Sequence, residues 1–340
     1  MLMDLATCLK KMELVGVLAF ATVDSEGAPQ IRNISAIHYE PKALYFFTAR
    51  GKNFCKELME DGRVQILCYT KYKEMIRLSG KAYAVPENEQ IKWRDKIFEE
   101  QPGFSNMQIP ASVEKQKILL RSLMNVRMPG IIDDEFISIQ DEYLQQVNAG
   151  KGVVMLSDME EIQPDVYIWK GDITRLKAGA IVNAANSGMT GCYQPCHNCI
   201  DNCIHTYAGI QLRLKCSQIM KEQGYEEPTG QAKITPAYNL PCDYVIHTVG
   251  PIVQGKLTKK HEKLLASCYR SCLEIADENR VESIAFCCIS TGVFMFPNER
   301  AAEIAVKTIK EYKKKTGSSI KVIFNVFKDL DEEIYRELLR

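Results

Sequence analysis

Between Cys192 and His205 the chain reads CYQPCHNCIDNCIH, with four cysteines and two histidines in fourteen residues. Thiolates and imidazoles are ligands of zinc. Four of them close a structural site; three leave a position open for catalysis. The candidate ligands are Cys192, Cys196, His197, Cys199, Cys203 and His205. Two other uses of the thiols stand beside this one: a disulfide cluster, or a set of packed small apolar residues. An odd total of 13 cysteines argues against full pairing. The N-terminal MLMDLATCLKKMEL lacks the layout of a signal peptide, so the protein is expected to be cytoplasmic, where thiols stay reduced. Cys68, Cys287 and Cys288 sit in apolar runs and read as packing residues. The 192–203 group differs, being set among polar residues and a proline. Its spacing leaves open both a closed site of four cysteines and a three-ligand set of Cys192, His197 and Cys199.

Three loops that follow apolar strands carry the other candidate chemistry. In WKGDITRL, Asp172 stands directly after a strand. Its carboxylate suits an amino group such as that of adenine, and equally the cap of a following turn. AIVNAANSG ends in the amides Asn183 and Asn186. Buried amides need partners, which sugar hydroxyls or the loop's own backbone would supply. ISTGVFMFP runs through Ser290, Thr291, Gly292, Val293 and Phe294 to Pro297 and a helical stretch. Backbone N–H groups at such a place favour anions, while Phe294 and Phe296 are either core or a face for a ribose or base.

These loops need a framework. VYIW, AIVNAA, YVIHTV, SIAFCCIS and KVIFNVF alternate with helical stretches at 203–223, 259–279, 298–315 and 331–339. That alternation predicts an α/β unit with a largely parallel sheet covered on both faces. Residues 113–150 read as helical. Upstream, short strands separated by turns, with one helix over about 53–60, predict a small barrel. Leu2, Leu5, Leu9 and Met12 recur at helical spacing before it. The stretch 100–112, with two prolines and few apolar residues, marks a boundary. A length of 340 residues fits about two domains. Hydrophobic residues at 46% and charged residues at 25% give a soluble globular balance. A formal net charge of zero argues against nucleic-acid binding through bulk charge. No apolar run approaches the roughly 20 residues of a membrane span. The lysines of KEYKKKTG read as charge complementing a helix C-terminus.

Together GDITRLKAGAIVNAANS, IDNCIH, PTGQAKIT, YVIHTVGP and STGVFMFP resemble, in order, the motifs of a macrodomain, an α/β/α three-layer module that binds ADP-ribose. The GCYQPCHNCIDN insertion and the helical lead-in resemble the zinc-containing branch of that family, and the likeness covers 113–340. The resemblance implies that Asp172 holds the adenine amino group, with Ile173 packed nearby. It implies that Ser290, Thr291, Gly292, Val293 and Phe294 wrap the diphosphate, and that Asn183 and Asn186 belong to the ADP-ribose site, Asn186 facing the distal ribose. It makes Cys192, His197 and Cys199 the ligands of Zn2+, leaves Cys196 and Cys203 as packing residues, and makes His205 structural. Asp201 falls where related hydrolases carry an aspartate beside that ribose, so Asn186 and Asp201 are the expected catalytic pair. Met295 departs from the family, which often has glycine there. The implied activity is zinc-dependent removal of mono-ADP-ribose from ADP-ribosylated protein.

Residues 1–108 resemble the pyridoxamine 5′-phosphate oxidase-like split barrel, an all-β or α+β flavin-binding fold. By that resemblance Arg32, Thr48 and Lys52 contact the phosphate of FMN, an arginine fork and a lysine point charge both suiting the task. A deazaflavin or an empty barrel are the alternatives, and a homodimer through this domain is implied. A different reading of the whole chain is a non-catalytic ADP-ribose sensor with structural zinc, coupled to a flavin oxidoreductase domain.

Overall fold

A computed structural model describes residues 4–34, 37–46, 48, 53–70, 73–86, 109–130, 132 and 134–340. The chain forms two compact units, residues 1–111 and 112–340. In the first, helix α1 (Leu5–Glu13) begins at Asp4, whose carboxylate accepts from the Thr7 amide and hydroxyl. Leu9 and Met12 are buried, Leu5 is exposed, and Leu2 lies outside the described residues. Strands β1 (Leu18–Val23) and β2 (Pro29–Ile34) are joined by DSEG, where the Asp24 carboxylate accepts from the amides of Glu26 and Ala28. Next come β3 (Ile37–Glu40), β4 (Ala43–Phe46), helix α2 (Asn53–Glu60), β5 (Arg63–Tyr69) and β6 (Met75–Lys81). The antiparallel sheet runs β2-β1-β5-β6, and β3 pairs with β4 in a second sheet. Every second residue of β5 is buried, as a sheet with one covered face requires. Phe20 packs edge-on against Phe46 and Phe54 in its core. The sequence reads APQIRNISAIHY as one strand; the structure divides it between β2 and β3, in separate sheets.

The second unit opens with α3 (Val113–Val126) and α4 (Asp134–Gly150). Then come β7 (Val154–Met155), β8 (Glu160–Gln163), β9 (Val166–Lys170), β10 (Leu176–Lys177), β11 (Ala180–Ala185), α5 (Ile200–Ala208) and α6 (Ile210–Gln223). The chain closes with β12 (Ala232–Pro236), β13 (Tyr244–Val249), α7 (Lys259–Glu278), β14 (Ser283–Phe286), α8 (Asn298–Thr316), β15 (Lys321–Val326) and α9 (Asp329–Leu338). A seven-stranded sheet has the order β12-β13-β11-β14-β15-β9-β8, parallel from β13 to β9. Five consecutive residues of β13 and of β15 are buried, so both sheet faces are covered and the unit has three layers. The edge strands β8 and β12 run antiparallel. Neither follows from the apolar runs, because edge strands carry mixed polarity.

Amide side chains stitch α4 to the centre of this unit. Asn148 donates to the carbonyls of Tyr207 and Asn239, and the Gln140 side chain accepts from the Ile210 amide. The expected helix over 203–223 is two helices, broken at Gly209. Gly209 has φ 100° and ψ 169°, a region that essentially only glycine occupies. A Cβ there would meet Gln211, Gln140 and Asn239. Gly209→Ala is expected to destabilise this unit by about 1–3 kcal/mol in urea unfolding.

Candidate functional site

Strand β11 is buried almost throughout and delivers Asn183 and Asn186 to its carboxyl end, where open α/β sheets bind ligands. Asp201 enters from the first turn of α5. Its carboxylate is 6% exposed and accepts from the Asn183 amide at 2.8 Å and the Asn186 amide at 3.1 Å. Burial pushes this carboxyl up to about 6, against the pull of Asn183, Arg213 and Asn186. Asn186 also donates to the Gly191 carbonyl, which fixes where the insertion leaves the strand. Asn183, assigned from the sequence to the ADP-ribose site, is 0% exposed. Its amide is spent on Asp201 and His247, so it reaches the site through Asp201.

The insertion folds back so that the ligand atoms of Cys192, His197 and Cys199 all lie within 4.8 Å of one another. Cys192 Sγ is 3.5 Å from His197 Nδ1. Tetrahedral zinc with bonds of about 2.3 Å to sulfur and 2.0 Å to nitrogen separates such atoms by about 3.5 Å. The donor set therefore fits zinc with three protein ligands. Burial pushes the Cys199 thiol up to about 12, so ligation there must displace its proton. Cys196 stands apart, its Sγ against the Ser122 hydroxyl, and Cys203 lies under the Arg121 guanidinium.

A second cluster, His205, Cys216 and His247, is fully buried. The Asn183 amide nitrogen faces Asp201, which makes His247 Nδ1 the acceptor of its other hydrogen. His247 Nε2 then carries the proton and donates to Thr235 Oγ1. That tautomer offers the cluster no lone pair from His247, and the ring serves as a polar strut beneath Asn183.

Sequence reading missed the residues that hold the insertion in place. Arg121 and Asn125 on α3 bind it from one side: Arg121 donates to the His197 carbonyl at 2.8 Å, and the Asn125 side chain accepts from the Cys196 amide at 2.9 Å. Asn202 donates to the carbonyls of Cys192 and Gln194. Arg213, buried on α6, donates to five carbonyls, those of Thr190 and Cys192 in the loop and Met124, Asn125 and Arg127 on α3 and just beyond its end. Its guanidinium also lies 4.3 Å from the centre of the Tyr193 ring. An arginine within a helical pattern gives no sign in the sequence that it will bind carbonyls.

Asp172 divides its two oxygens. Oδ1 accepts from the Thr174 amide and hydroxyl, capping the turn, while Oδ2 faces Lys151 at 3.3 Å. Ile173 is buried beside it in the core. Farther along, Ser290 is buried with φ 66°, seated against Gly250, where a Cβ would lie 2.1 Å from Ser290 Oγ. Thr291 closes the turn onto the Cys288 carbonyl, and Gly292 and Val293 are exposed. Among the described residues the amides of Gly292, Val293 and Phe294 have no acceptor within the chain. Phe294 is half-buried, whereas Phe296 is core. Met295 adopts φ 53° with its side chain 63% exposed. That left-handed backbone is what glycine supplies at low cost.

In the first unit, Arg32 on β2 is bidentate to the buried Glu57, at 2.6 and 3.1 Å, and lies 4.4 Å from the Phe54 ring centre. Thr22 also donates to Glu57. A phosphate approaching Arg32 would meet that carboxylate, so at Arg32 the arrangement does not fit the phosphate of FMN. Thr48 is half-buried, and Lys52 lies outside the described residues.

Truncating Arg213 to Met leaves the carbonyls it binds without a partner. Such a change is expected to cost about 3 kcal/mol in denaturant unfolding.

The Macro domain family matches residues 182–305 and the Pyridoxamine 5′-phosphate oxidase family residues 9–118. A protein-ADP-ribose hydrolase of Treponema medium is 58% identical over 247 residues, covering 72% of this chain and 95% of the relative. A protein-ADP-ribose hydrolase of Staphylococcus aureus (strain MSSA476) is 50% identical over 231 residues, covering 67% of this chain and 86% of its own. Among solved structures, the Trypanosoma brucei macrodomain in complex with ADP-ribose is similar with a TM-score of 0.51 at 25% identity, covering 68% of this chain and 97% of that one. The N-terminal unit is thus a flavin-type split barrel compatible with FMN binding. Among the described residues no helix is long and apolar enough to cross a membrane. At 58% identity to a relative covered over 95% of its length, the chain belongs to the macrodomain family of protein-ADP-ribose hydrolases.

Proposed function

We propose that this protein is a zinc-dependent hydrolase that removes mono-ADP-ribose from modified proteins. The observation that carries the reading is the meeting of two groups at the end of β11: the Cys192, His197 and Cys199 donor set, and the buried Asp201 held by Asn183 and Asn186. Cys192, His197 and Cys199 would hold the zinc, which would supply a Lewis acid beside the distal ribose. The chain's own groups do the rest. Asp172 takes the adenine amino group and the Gly292, Val293 and Phe294 amides of the Ser290–Phe294 loop take the diphosphate, which fixes the distal ribose over Asn186 and Asp201. Hydrolysis breaks the bond from ribose C1″ to the protein side chain; water gives its oxygen to C1″ and a proton to the departing side chain. Asp201 stabilises the positive charge that develops on the ribose and orients the water.

The test is release of ADP-ribose from a mono-ADP-ribosylated protein, with metal content measured on the same sample. One zinc per chain and loss of release in Cys199→Ala or after chelation are the expected results. Unchanged turnover in the zinc-free protein would remove the metal from the mechanism. Asp201→Asn is expected to lower kcat by about 100-fold or more with ADP-ribose still bound.

For the barrel, we infer that Thr48 and Lys52 rather than Arg32 are the candidates for a flavin phosphate, with a homodimer as the assembly in which FMN would sit. Lys52→Ala is expected to weaken FMN uptake in a fluorescence titration. Arg32→Met is expected instead to destabilise the barrel by about 3 kcal/mol, by stranding the Glu57 carboxylate. A loss of FMN affinity in a stably folded Arg32→Met would reverse that assignment.

A further inference from the structure

Lys151 directly follows α4, and its side chain enters the nucleotide end of the macrodomain. Its ammonium is 3.3 Å from Asp172 Oδ2, 3.1 Å from Thr174 Oγ1, and 2.8 Å from the centroid of the Tyr207 ring. Lysine has three N–H donors and no acceptor. Two oxygens and one ring face occupy all three directions, so Lys151 keeps none for a ligand.

The effect falls on Asp172. Thr174 already uses Oδ1 through its amide and its hydroxyl. Lys151 takes one lone-pair direction of Oδ2, and a carboxylate oxygen has about two. One acceptor position is left, pointing in a direction that the ammonium fixes. Burial pulls the Lys151 ammonium down from the ordinary lysine range and also penalises the Asp172 carboxylate. The Asp172 carboxyl nevertheless stays below its usual range, because Thr174 and Lys151 outweigh that penalty. An ionised carboxylate accepts hydrogen bonds and never donates. An exocyclic amino group opposite it gains a charge-assisted bond, whereas a keto oxygen there sets lone pair against lone pair.

We propose that Lys151 is a positioning residue for nucleobase selection, fixing Asp172 as an acceptor so that the site takes a 6-amino purine and rejects a 6-keto purine. This rests on Asp172 being the adenine contact, as proposed above. Lys151 comes from the helical lead-in, so selection depends on a segment outside residues 182–305, which the Macro domain family matches.

The full-length protein is tested by calorimetry with ADP-ribose and with its inosine analogue, alongside steady-state hydrolysis of a mono-ADP-ribosylated protein. The wild type is expected to prefer ADP-ribose by about 10-fold or more. Lys151→Met is expected to narrow that preference to within about 2-fold and to raise KM by about 10-fold, with kcat within about 2-fold. Lys151→Arg, which keeps the charge, is expected to restore the preference. Lys151→Gln keeps amide donors without charge and serves as a second neutral variant if Met disturbs folding. A neutral variant with wild-type kcat, wild-type ADP-ribose affinity and an unchanged preference would overturn the role of Lys151. Equal wild-type affinity for the two nucleotides would overturn the adenine contact of Asp172, and this proposal with it, while leaving hydrolysis standing. Absence of hydrolysis with the preference and its loss intact would sink the enzymatic reading alone.

Discussion

The macrodomain half depends on a buried cation whose hydrogen bonds go to backbone carbonyls. Arg213 is buried, and a buried guanidinium is costly unless its donors are met. Here the partners are carbonyl oxygens at the end of α3 and in the loop that begins the insertion, with the Tyr193 ring stacked against it. Carbonyls at the end of a helix are themselves short of donors, so one side chain satisfies both needs. The consequence is geometric. The place where the insertion leaves β11 and the place where α3 ends are fixed against the same atom group. The candidate ligands Cys192, His197 and Cys199 therefore hang on a loop secured from two sides rather than on a free excursion of thirteen residues between Asn186 and Ile200.

A second economy runs through the polar groups at the strand ends, which hold one another in place. Asp172 caps a turn with Oδ1 and presents Oδ2. Asn183 is wholly inside, yet it sets the Asp201 carboxylate and, through His247, reaches Thr235 on the edge strand. Asn186 holds Asp201 and the Gly191 carbonyl with the same amide nitrogen. Small shifts in these side chains would move the Asp201 carboxylate, and in the proposed reaction positioning errors of that size matter.

Much of this was legible before any coordinates. The apolar runs that predict parallel strands are the ones buried on both faces, and the three strand-end loops are where the polar side chains gather. The motif order named the macrodomain, and Cys192, His197 and Cys199 are the thiols and imidazole that the fold brings together. What escaped is of one physical kind. The edge strands β8 and β12 have no continuous apolar run, and the break at Gly209 depends on a backbone angle. Arg121, Asn125, Asn202 and Arg213 act on backbone atoms, and a backbone partner leaves no trace in residue identity. Arg32 shows the converse: its position in the barrel pattern pointed to a phosphate, but the Glu57 that claims it lies 25 residues away with nothing nearby to mark the pair.

The same distinction sets the size of the working unit. The Macro domain match spans 182–305, but Asp172 lies before it, and so do the helices that steady the insertion and Asp172. Arg121 and Asn125 on α3 act on the ligand loop, and Lys151 at the end of α4 acts on Asp172. These helices therefore reach both the insertion loop and the Asp172 turn, the two places that the proposed function gives to the distal ribose and the base. A domain trimmed to the matched core would keep the Ser290–Phe294 loop, Cys192, His197, Cys199 and Asp201, with Asn183, Asn186, Asn202 and Arg213, and lose Asp172 and the contacts of Arg121, Asn125 and Lys151. Preorganisation is what turns placement into selectivity and rate, so under the proposed function the lead-in is part of the working unit as much as the loops are.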